Sequence, residues 1–280
     1  MRFAKWQALG NDYIVLEDDD VPFELTPDRI RAICAPHTGM HSDGILLLAR
    51  PADPAHVADL RIFNPDGSEA ELSGNGVREA VLYLRAAGWT DRDVFSIMTA
   101  AGEVTPTLTG PGSARVAMGS AATASADYPG GRPDGVGTID VGGVEREFQH
   151  VAIGNPQCAI EVNDGLEELD LPAIGPAIEG APIFPNRTNV SFWSADGSRV
   201  RARIFERGVG ETMSSGTGAT GAAVAYVLRG GDSPVTVRLD GGELVAEVGE
   251  DLHVNLTGWA VPVYAGTLAD DFLEELHATQ

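Results

Sequence analysis

Two serines occupy equivalent places in two glycine-rich stretches where a reactive group could act. Residues 70–80 read "AELSGNGVREA" and residues 211–223 read "ETMSSGTGATGAA". In each stretch a serine, Ser73 or Ser215, stands before a Gly-x-Gly loop and a segment of helical character. The free N–H groups and the dipole at a helix N-terminus bind anions, including carboxylates. The alternative is that each serine is a plain helix cap and the glycines serve turns.

The serine loops belong to longer segments that recur along the chain. Arg-Ile-Phe precedes the serine loop in both segments, and Ser73 aligns with Ser215 when the segments are superimposed in sequence. Two further pairs of segments match in the same order at a nearly constant offset, which predicts an internal duplication. The paired segments are 61–81 with 203–223, 9–17 with 153–161, and 101–108 with 241–248. Two equivalent loops favour a shared site over two unrelated caps.

Other polar residues near the repeated segments are candidates for ligand binding. Four asparagines stand at the ends of apparent strands, namely Asn11, Asn64, Asn155 and Asn189. A lone asparagine there usually serves a turn, but four favour convergent amide donors. Glu206 and Arg207 follow a strand whose apolar character should bury them, so a functional role and a structural ion pair are both open. The six histidines share no metal-ligand spacing.

The elements that must position these residues follow a strand, loop, helix and strand pattern in each half. An apolar helix follows each serine loop, and the second is apolar almost all round, as in a buried helix. Residues 233–258 alternate through three short runs, which predicts an antiparallel meander. The predicted fold class is mixed α/β, with two pseudo-symmetric halves, each a curled, mostly antiparallel sheet wrapped around a central helix. A Gly-, Pro- and Ala-rich linker at 119–137 separates residues 1–118, joined by about 262–280, from residues 119–261.

The composition limits the classes of partner. The chain has 280 residues and a formal net charge of -22, which disfavours nucleic acid and anionic membranes as partners. Two separated cysteines, Cys34 and Cys158, predict neither a disulfide framework nor a zinc site. The absence of an apolar leader and of a long apolar run predicts a cytoplasmic protein. Nucleotide binding is weakly supported, because no P-loop or dinucleotide fingerprint is present.

The quoted motifs, taken together with four others, resemble one enzyme family. The others are "ALGNDYIVLE", "HSDGILLLA", "GNPQCAIEV" and "FPNRTNVSF". They resemble the diaminopimelate epimerases, which are pyridoxal-independent amino-acid racemases, and the resemblance covers nearly the whole chain. It implies a site in the cleft between the halves and cofactor-independent, two-base interconversion of LL- and meso-2,6-diaminopimelate, a step of lysine and peptidoglycan biosynthesis. It implies a small-molecule substrate and no metal, and many members of the family are homodimers.

The resemblance also implies roles for individual positions. In that family one cysteine thiolate takes the α-proton and an opposite thiol returns one, and those positions are Ser73 and Ser215 here. Gln157 stands where the family commonly has a histidine that supports the first thiol, and Glu206 is retained beside the second. The implied binding set for the distal end of the substrate is Asn11, Asn64, Asn155, Asn189 and Arg207. The N–H groups implied for the reacting carboxylate are those of Gly74, Asn75, Gly216 and Thr217.

Serine at both thiol positions changes the expected chemistry. A helix N-terminus and a neighbouring base can convert a thiol to a thiolate, but a serine hydroxyl is a far weaker acid. Three hypotheses stay open. The chain is a diaminopimelate epimerase whose two cysteines have been replaced by serine and whose turnover is lost or impaired. Alternatively, it is a natural, divergent racemase or isomerase of another amino acid, or a non-catalytic amino-acid-binding homologue.

Overall fold

A computed structural model describes residues 1–279, and these divide into two compact units. Unit 1 comprises Met1–Val116 together with the chain from Gly258, and unit 2 comprises Ala117–Thr257. Helices α1 to α5 are Pro27–Cys34, Gly74–Ala86, Leu171–Glu179, Gly216–Leu228 and Asp270–Ala278. None of the helices within the described residues is long and apolar enough to cross a membrane.

The strands account for most of the remaining chain. Strands β1 to β9 are Arg2–Ala8, Asn11–Glu17, Ile45–Ala49, Asp59–Phe63, Glu69–Ala70, Ile97–Thr99, Gly102–Val104, Thr107–Gly110 and Ser113–Ser120. Strands β10 to β19 are Val136–Val141, Val144–Ala152, Pro156–Glu161, Asn189–Asp196, Arg199–Glu206, Gly210–Thr212, Val235–Leu239, Gly242–Val248, His253–Trp259 and Val261–Thr267. Strands β9 and β18 run across the two boundaries between the units.

Each unit is built on one sheet, and the two sheets repeat the same order. In unit 1 the order is β19-β1-β2-β3-β4-β6-β7, with β5 paired to β4. In unit 2 the segment β11-β12-β13-β14-β16-β17 has the order of β1-β2-β3-β4-β6-β7, and β15 pairs with β14. Corresponding strand pairs also share their direction. The parallel pairs are β2 with β3 and β4 with β6 in unit 1, and β12 with β13 and β14 with β16 in unit 2. The predicted fold class and internal duplication are therefore confirmed.

One helix in each unit packs on its sheet and carries the serine loop at its start. Helix α2 contacts β1, β2, β3 and β19, and buries Val77, Ala80, Val81 and Leu84. Helix α4 contacts β11 to β14, β16 and β17, and buries a continuous run from Gly218 to Ala225. Small residues on every side let this helix lie close to the sheet, as its all-round apolar sequence predicts. The same sequence pattern therefore positions both serine loops.

The hydrophobic cores lie on these sheets. In unit 1, buried side chains of β3 pack in one cluster with Ile14 of β2 and with Ile30 and Ile33 of α1. In unit 2, Phe148 and Phe192 pack with residues of α3 such as Ile178. Both cores anchor the strands that end beside the polar residues described next.

Candidate active site

Ser73 and Ser215 are the N-caps of α2 and α4, with nearly the same backbone geometry. Ser73 has φ -136 and ψ 120, and Ser215 has φ -144 and ψ 123. The Gly76 N–H donates to the Ser73 hydroxyl oxygen at 3.1 Å, and the Gly218 N–H donates to that of Ser215 at 3.2 Å. The capping interpretation is thus correct for both serines. It leaves the other first-turn N–H groups, beginning with those of Gly74 and Gly216, without an acceptor inside their helices.

The hairpin that leads into each serine loop is held by an equivalent ion pair. Arg61 on β4 binds both carboxyl oxygens of Glu69 on β5, at 2.9 and 2.8 Å. Arg203 on β14 binds Glu211 on β15, at 3.0 and 2.6 Å. Ile62 pairs with Ala70 in the first hairpin, and the matching residues pair in the second. The chain therefore approaches both serine loops along the same path.

The two serines differ in their neighbouring side chains. The Tyr13 hydroxyl on β2 donates to the Ser73 oxygen at 3.3 Å. Ser215 instead donates to a carboxyl oxygen of Glu206 at 2.9 Å, and Thr212 donates to the other oxygen of that carboxyl group at 2.8 Å. Ser73 is half-buried, whereas Ser215 is 3% exposed. One serine therefore has a hydroxyl donor beside it, and the other has a carboxyl acceptor.

Tyr13 is a site residue that the sequence interpretation missed. The repeat could have indicated this residue, because Tyr13 in "GNDYIVLE" aligns with the candidate site residue Gln157 in "GNPQCAIE". Thr212 was also missed, although it lies in the quoted serine stretch. Only its pairing across from Ile204 turns it toward the Glu206 carboxyl group.

A polar network in unit 1 joins two of the predicted binding residues. Asn75 donates its side-chain N–H to the Asn11 carbonyl oxygen at 3.2 Å, and Asn11 donates to the Asp43 carboxylate at 2.8 Å. The same Asp43 oxygen accepts the Asp12 backbone N–H at 3.0 Å. Asp43 stands just before β3 in a Ser-Asp-Gly stretch, which is a sequence typical of a turn. Asn64 lies in another turn, where its amide donates to Ser68 at 2.9 Å.

Two ionisable side chains lie buried in α2 behind this network. Arg78 and Glu79 are both 0% exposed, and Arg78 donates to the Asn75 side-chain oxygen. Burial lowers the pKa of Arg78 to about 10. Burial raises the pKa of Glu79 well above its ordinary value, and the positive charge of Arg78 opposes this only in part. Buried ionisable groups of this kind cluster at functional sites.

The predicted residues around Ser215 form a second network, in unit 2. Asn155 donates to the Thr217 hydroxyl oxygen at 3.3 Å, and the fully buried Gln157 donates to the Asn155 carbonyl oxygen at 2.5 Å. An amide side chain has no basic nitrogen, so Gln157 acts here as a hydrogen-bonding group and not as a base. The first turn of α4, with Gly216 and Thr217, is therefore tied to the start of β12.

Asn189 connects this region to the turn after β14. Its oxygen accepts the Arg207 backbone N–H at 2.8 Å, and its N–H donates to the Pro156 carbonyl at 3.2 Å. The expectation that Glu206 and Arg207 are both buried is wrong: Glu206 is half-buried and Arg207 is exposed. The reason is that β14 ends at Glu206 and the chain turns there, so the Arg207 side chain reaches outward to the Asn186 carbonyl at 2.9 Å.

Comparison with known proteins identifies the family. Residues 3–124 and 150–263 match the family described as diaminopimelate epimerase. "Diaminopimelate epimerase 2" of Nostoc sp. is 39% identical over 97% of this chain and 96% of its own length. The diaminopimelate epimerase of Desulfitobacterium hafniense is 39% identical over 98% of this chain and 100% of its own.

The chain belongs to the diaminopimelate epimerase family. It is therefore a member of an isomerase family that acts on amino acids, and the family name implies lysine biosynthesis. Both matched segments contain one of the serine loops, so the family assignment covers the two candidate half-sites equally.

Solved structures support the fold of this diaminopimelate epimerase family member. A probable proline racemase from Agrobacterium radiobacter K84, with bound carbonate, has a TM-score of 0.68 and 15% identity, and the match covers 96% of this chain and 93% of that one. A hydroxyproline epimerase from Agrobacterium vitis, with bound trans-4-hydroxy-L-proline, has a TM-score of 0.65 and 17% identity, covering 96% and 90%. At these identities the likeness concerns the fold alone.

Proposed function

We propose that this chain binds diaminopimelate on the scaffold of a diaminopimelate epimerase, and that turnover is lost or impaired because Ser73 and Ser215 stand at the two proton-transfer positions. The observation that carries the proposal is the equivalent geometry of the two serines. Each caps a central helix, one in each unit, with first-turn N–H groups beside it. Such N–H groups suit the reacting carboxylate and the negative charge that develops as the α-proton leaves.

The proposed chemistry exchanges one proton for another at the α-carbon. In the family reaction a thiolate removes the α-proton, which leaves a carbanion stabilised by the carboxylate cradle. A thiol on the opposite face then donates its proton to the same carbon, so the configuration inverts and no co-reactant is consumed. In the cradle the proposal assigns roles to the N–H groups of Gly74, Asn75, Gly216 and Thr217.

The distal end of the substrate is assigned to the asparagines and one arginine. Asn11 in unit 1 and Asn155 in unit 2 fall on the same position of the repeat, and both are half-buried. Amide groups that are already held by neighbours are suited to fix one end of a ligand while the other end reacts. The whole proposed set is Asn11, Asn64, Asn155, Asn189 and Arg207.

The serines oppose turnover for a specific reason. The Ser215 hydroxyl donates to the Glu206 carboxyl group, but a hydrogen bond does not make a hydroxyl as acidic as a thiol. Ser73 accepts from the Gly76 N–H and from the Tyr13 hydroxyl, and a group that donates its proton to the serine oxygen is not placed to remove one from it. Diaminopimelate is therefore expected to bind without rapid exchange of its α-proton.

The test compares the chain with two paired variants. We expect meso- or LL-diaminopimelate to bind in calorimetry, while NMR in D2O detects no rapid α-proton exchange. Ser73→Cys/Ser215→Cys should restore epimerisation, and Ser73→Ala/Ser215→Ala is the matched control that binds but stays inert. Rapid exchange by the unaltered chain would refute the impaired-turnover proposal.

The remaining hypotheses are outcomes of the same experiment. A double cysteine variant that binds diaminopimelate yet stays inert would favour a non-catalytic binding protein. A double cysteine variant that instead prefers another amino acid, such as histidine or proline, would favour a divergent racemase.

A further inference from the structure

Three hydrogen bonds in unit 1 form a continuous relay from Arg78 to Asp43. Arg78 donates to the Asn75 oxygen, Asn75 donates to the Asn11 oxygen at 3.2 Å, and Asn11 donates to Asp43 at 2.8 Å. We propose that Arg78 and Asp43 are positioning residues that fix which way the Asn11 amide faces. This inference rests on the proposed function, in which Asn11 binds the substrate.

The two ends of the relay determine the direction of every bond in it. A guanidinium group can only donate hydrogen bonds, and an ionised carboxylate can only accept them. An asparagine amide can do both, so by itself it could face either way. With Arg78 at one end and Asp43 at the other, both amides are satisfied in one orientation only. Reversing Asn11 would oppose its oxygen to the Asp43 carboxylate and its N–H to the Asn75 N–H.

The burial of Arg78 shows that the fold retains this donor at a cost. Its side chain is 0% exposed, and within residues 1–279 its Nε and Nη1 have no hydrogen-bond partner. An underpaired buried cation is expensive, and a packed apolar side chain would often be at least as stable there. The charge is therefore poorly explained by stability alone, while its hydrogen bond to Asn75 sets the orientation of a candidate binding group.

The orientation has a consequence for ligand recognition. The Asn11 oxygen already accepts from Asn75, and one N–H is held by Asp43, so the amide has one N–H left to donate. An amide fixed as a donor suits an acceptor such as a substrate carboxylate. We therefore assign to the relay a preference for a carboxylate over an ammonium group at Asn11.

The test measures diaminopimelate affinity in Arg78→Met, Asp43→Ala and the double variant. Electrostatics alone predicts opposite effects, because the first removes a positive charge and the second a negative one. The relay predicts that each single change weakens binding only by about threefold, because the remaining end still favours the observed orientation of Asn11. It also predicts that the double variant is weakened by more than the product of the two single effects, because only the loss of both ends frees the amide to face either way.

Controls separate positioning from loss of structure. Arg78→Lys keeps a donor-only group and should recover most of the affinity, and Asp91→Ala removes an exposed aspartate of the same unit as a matched control. If Arg78→Met does not fold, the sign of the effect of Asp43→Ala decides the question.

The relay is overturned if Asp43→Ala strengthens binding or leaves it unchanged, or if the two changes add. If the unaltered chain does not bind diaminopimelate, the proposed function fails. The same double-mutant cycle in melting temperature then decides the relay, because additive changes in melting temperature would refute it.

Discussion

Thiols introduced singly at positions 73 and 215 should differ strongly in reactivity. In Ser73→Cys, the sulfur would receive the Gly76 N–H and the Tyr13 hydroxyl, which donate to the serine oxygen at 3.1 and 3.3 Å. Both donors stabilise a thiolate. In Ser215→Cys, the Gly218 N–H would point at the sulfur, but the Glu206 carboxyl group lies 2.9 Å from the Ser215 hydroxyl oxygen that the sulfur replaces. A carboxylate so close opposes a second negative charge.

The size of the difference follows from these contacts. Two unit charges about 4 Å apart interact by about 1 kcal/mol in water and by about 4 kcal/mol at an effective dielectric constant of 20. Repulsion by Glu206 should therefore reduce the thiolate fraction at position 215 between roughly fivefold and several hundredfold. At position 73 the additional hydroxyl donor should favour the thiolate by about 1 kcal/mol. The pKa of the thiol at position 73 is thus expected to be the lower of the two.

The assay is alkylation by iodoacetamide as a function of pH, followed by intact-protein mass spectrometry. Cys34 is 4% exposed and Cys158 is 0% exposed, so poor access slows their alkylation. Burial also raises the pKa of both thiols. Poor access will also slow alkylation at position 215, where Ser215 is 3% exposed, so the pH midpoint of each rate profile, and not the rate itself, reports the pKa of the thiol. The unaltered chain serves as the blank, so each added label reports the introduced thiol.

The matched variant is Ser215→Cys/Glu206→Gln, which removes the charge but keeps the shape of the side chain. It should raise the alkylation rate at position 215 below the thiol's pKa. The reasoning is refuted if the pH midpoint of alkylation is lower at position 215 than at position 73. It is also refuted if Glu206→Gln leaves the rate unchanged.

Two further predictions concern the stability of the fold around the serine loops. Gly218→Ala should destabilise the fold by about 1–3 kcal/mol, because the new Cβ would lie 2.8 Å from the Ile204 side chain. Gly130→Ala is the control and should not destabilise it, because a Cβ there meets nothing within 4 Å. Equal midpoints of the two variants in guanidinium unfolding would contradict this prediction. Glu79→Gln should stabilise the chain increasingly as pH rises, because burial raises the pKa of the Glu79 carboxyl group in the folded state. The contribution of Glu79 to the free energy of unfolding is full below the pKa of the unfolded state and is lost as pH rises through the pKa of the folded state, whereas glutamine does not titrate. Unfolding at acidic and alkaline pH measures this difference, and a gain that shrinks as pH rises would argue against it.

The architecture was readable from the sequence because its signals are local and repeated. The small, apolar segment after Ser215 predicts a buried helix, and α4 is one. The alternating runs from 233 to 258 predict a meander, and β16 to β18 form antiparallel pairs. The duplication was visible because both halves kept the same residues at the same spacing. Such features depend on periodicity and turn chemistry within a few residues.

Within each serine loop, the sequence by itself also determined the cap. A serine followed by Gly-x-Gly and a helix-forming segment is sufficient for its oxygen to accept the N–H three residues on. The same argument applies to Ser73 and to Ser215, and both caps have nearly the same backbone angles. The family resemblance then gave these two positions a chemical meaning that the cap alone does not have.

The resemblance already implied Glu206 beside Ser215, but the partner of Ser73 was decided only by the tertiary structure. Tyr13 reaches Ser73 across 60 residues of chain, and Asp43 meets Asn11 across 32 residues. Nothing in the local pattern distinguishes this aspartate from an ordinary turn residue. These contacts depend on which strands lie side by side, on their register and on the side-chain rotamers. Two halves with nearly the same local sequence therefore place a hydroxyl donor beside one serine and a carboxyl acceptor beside the other.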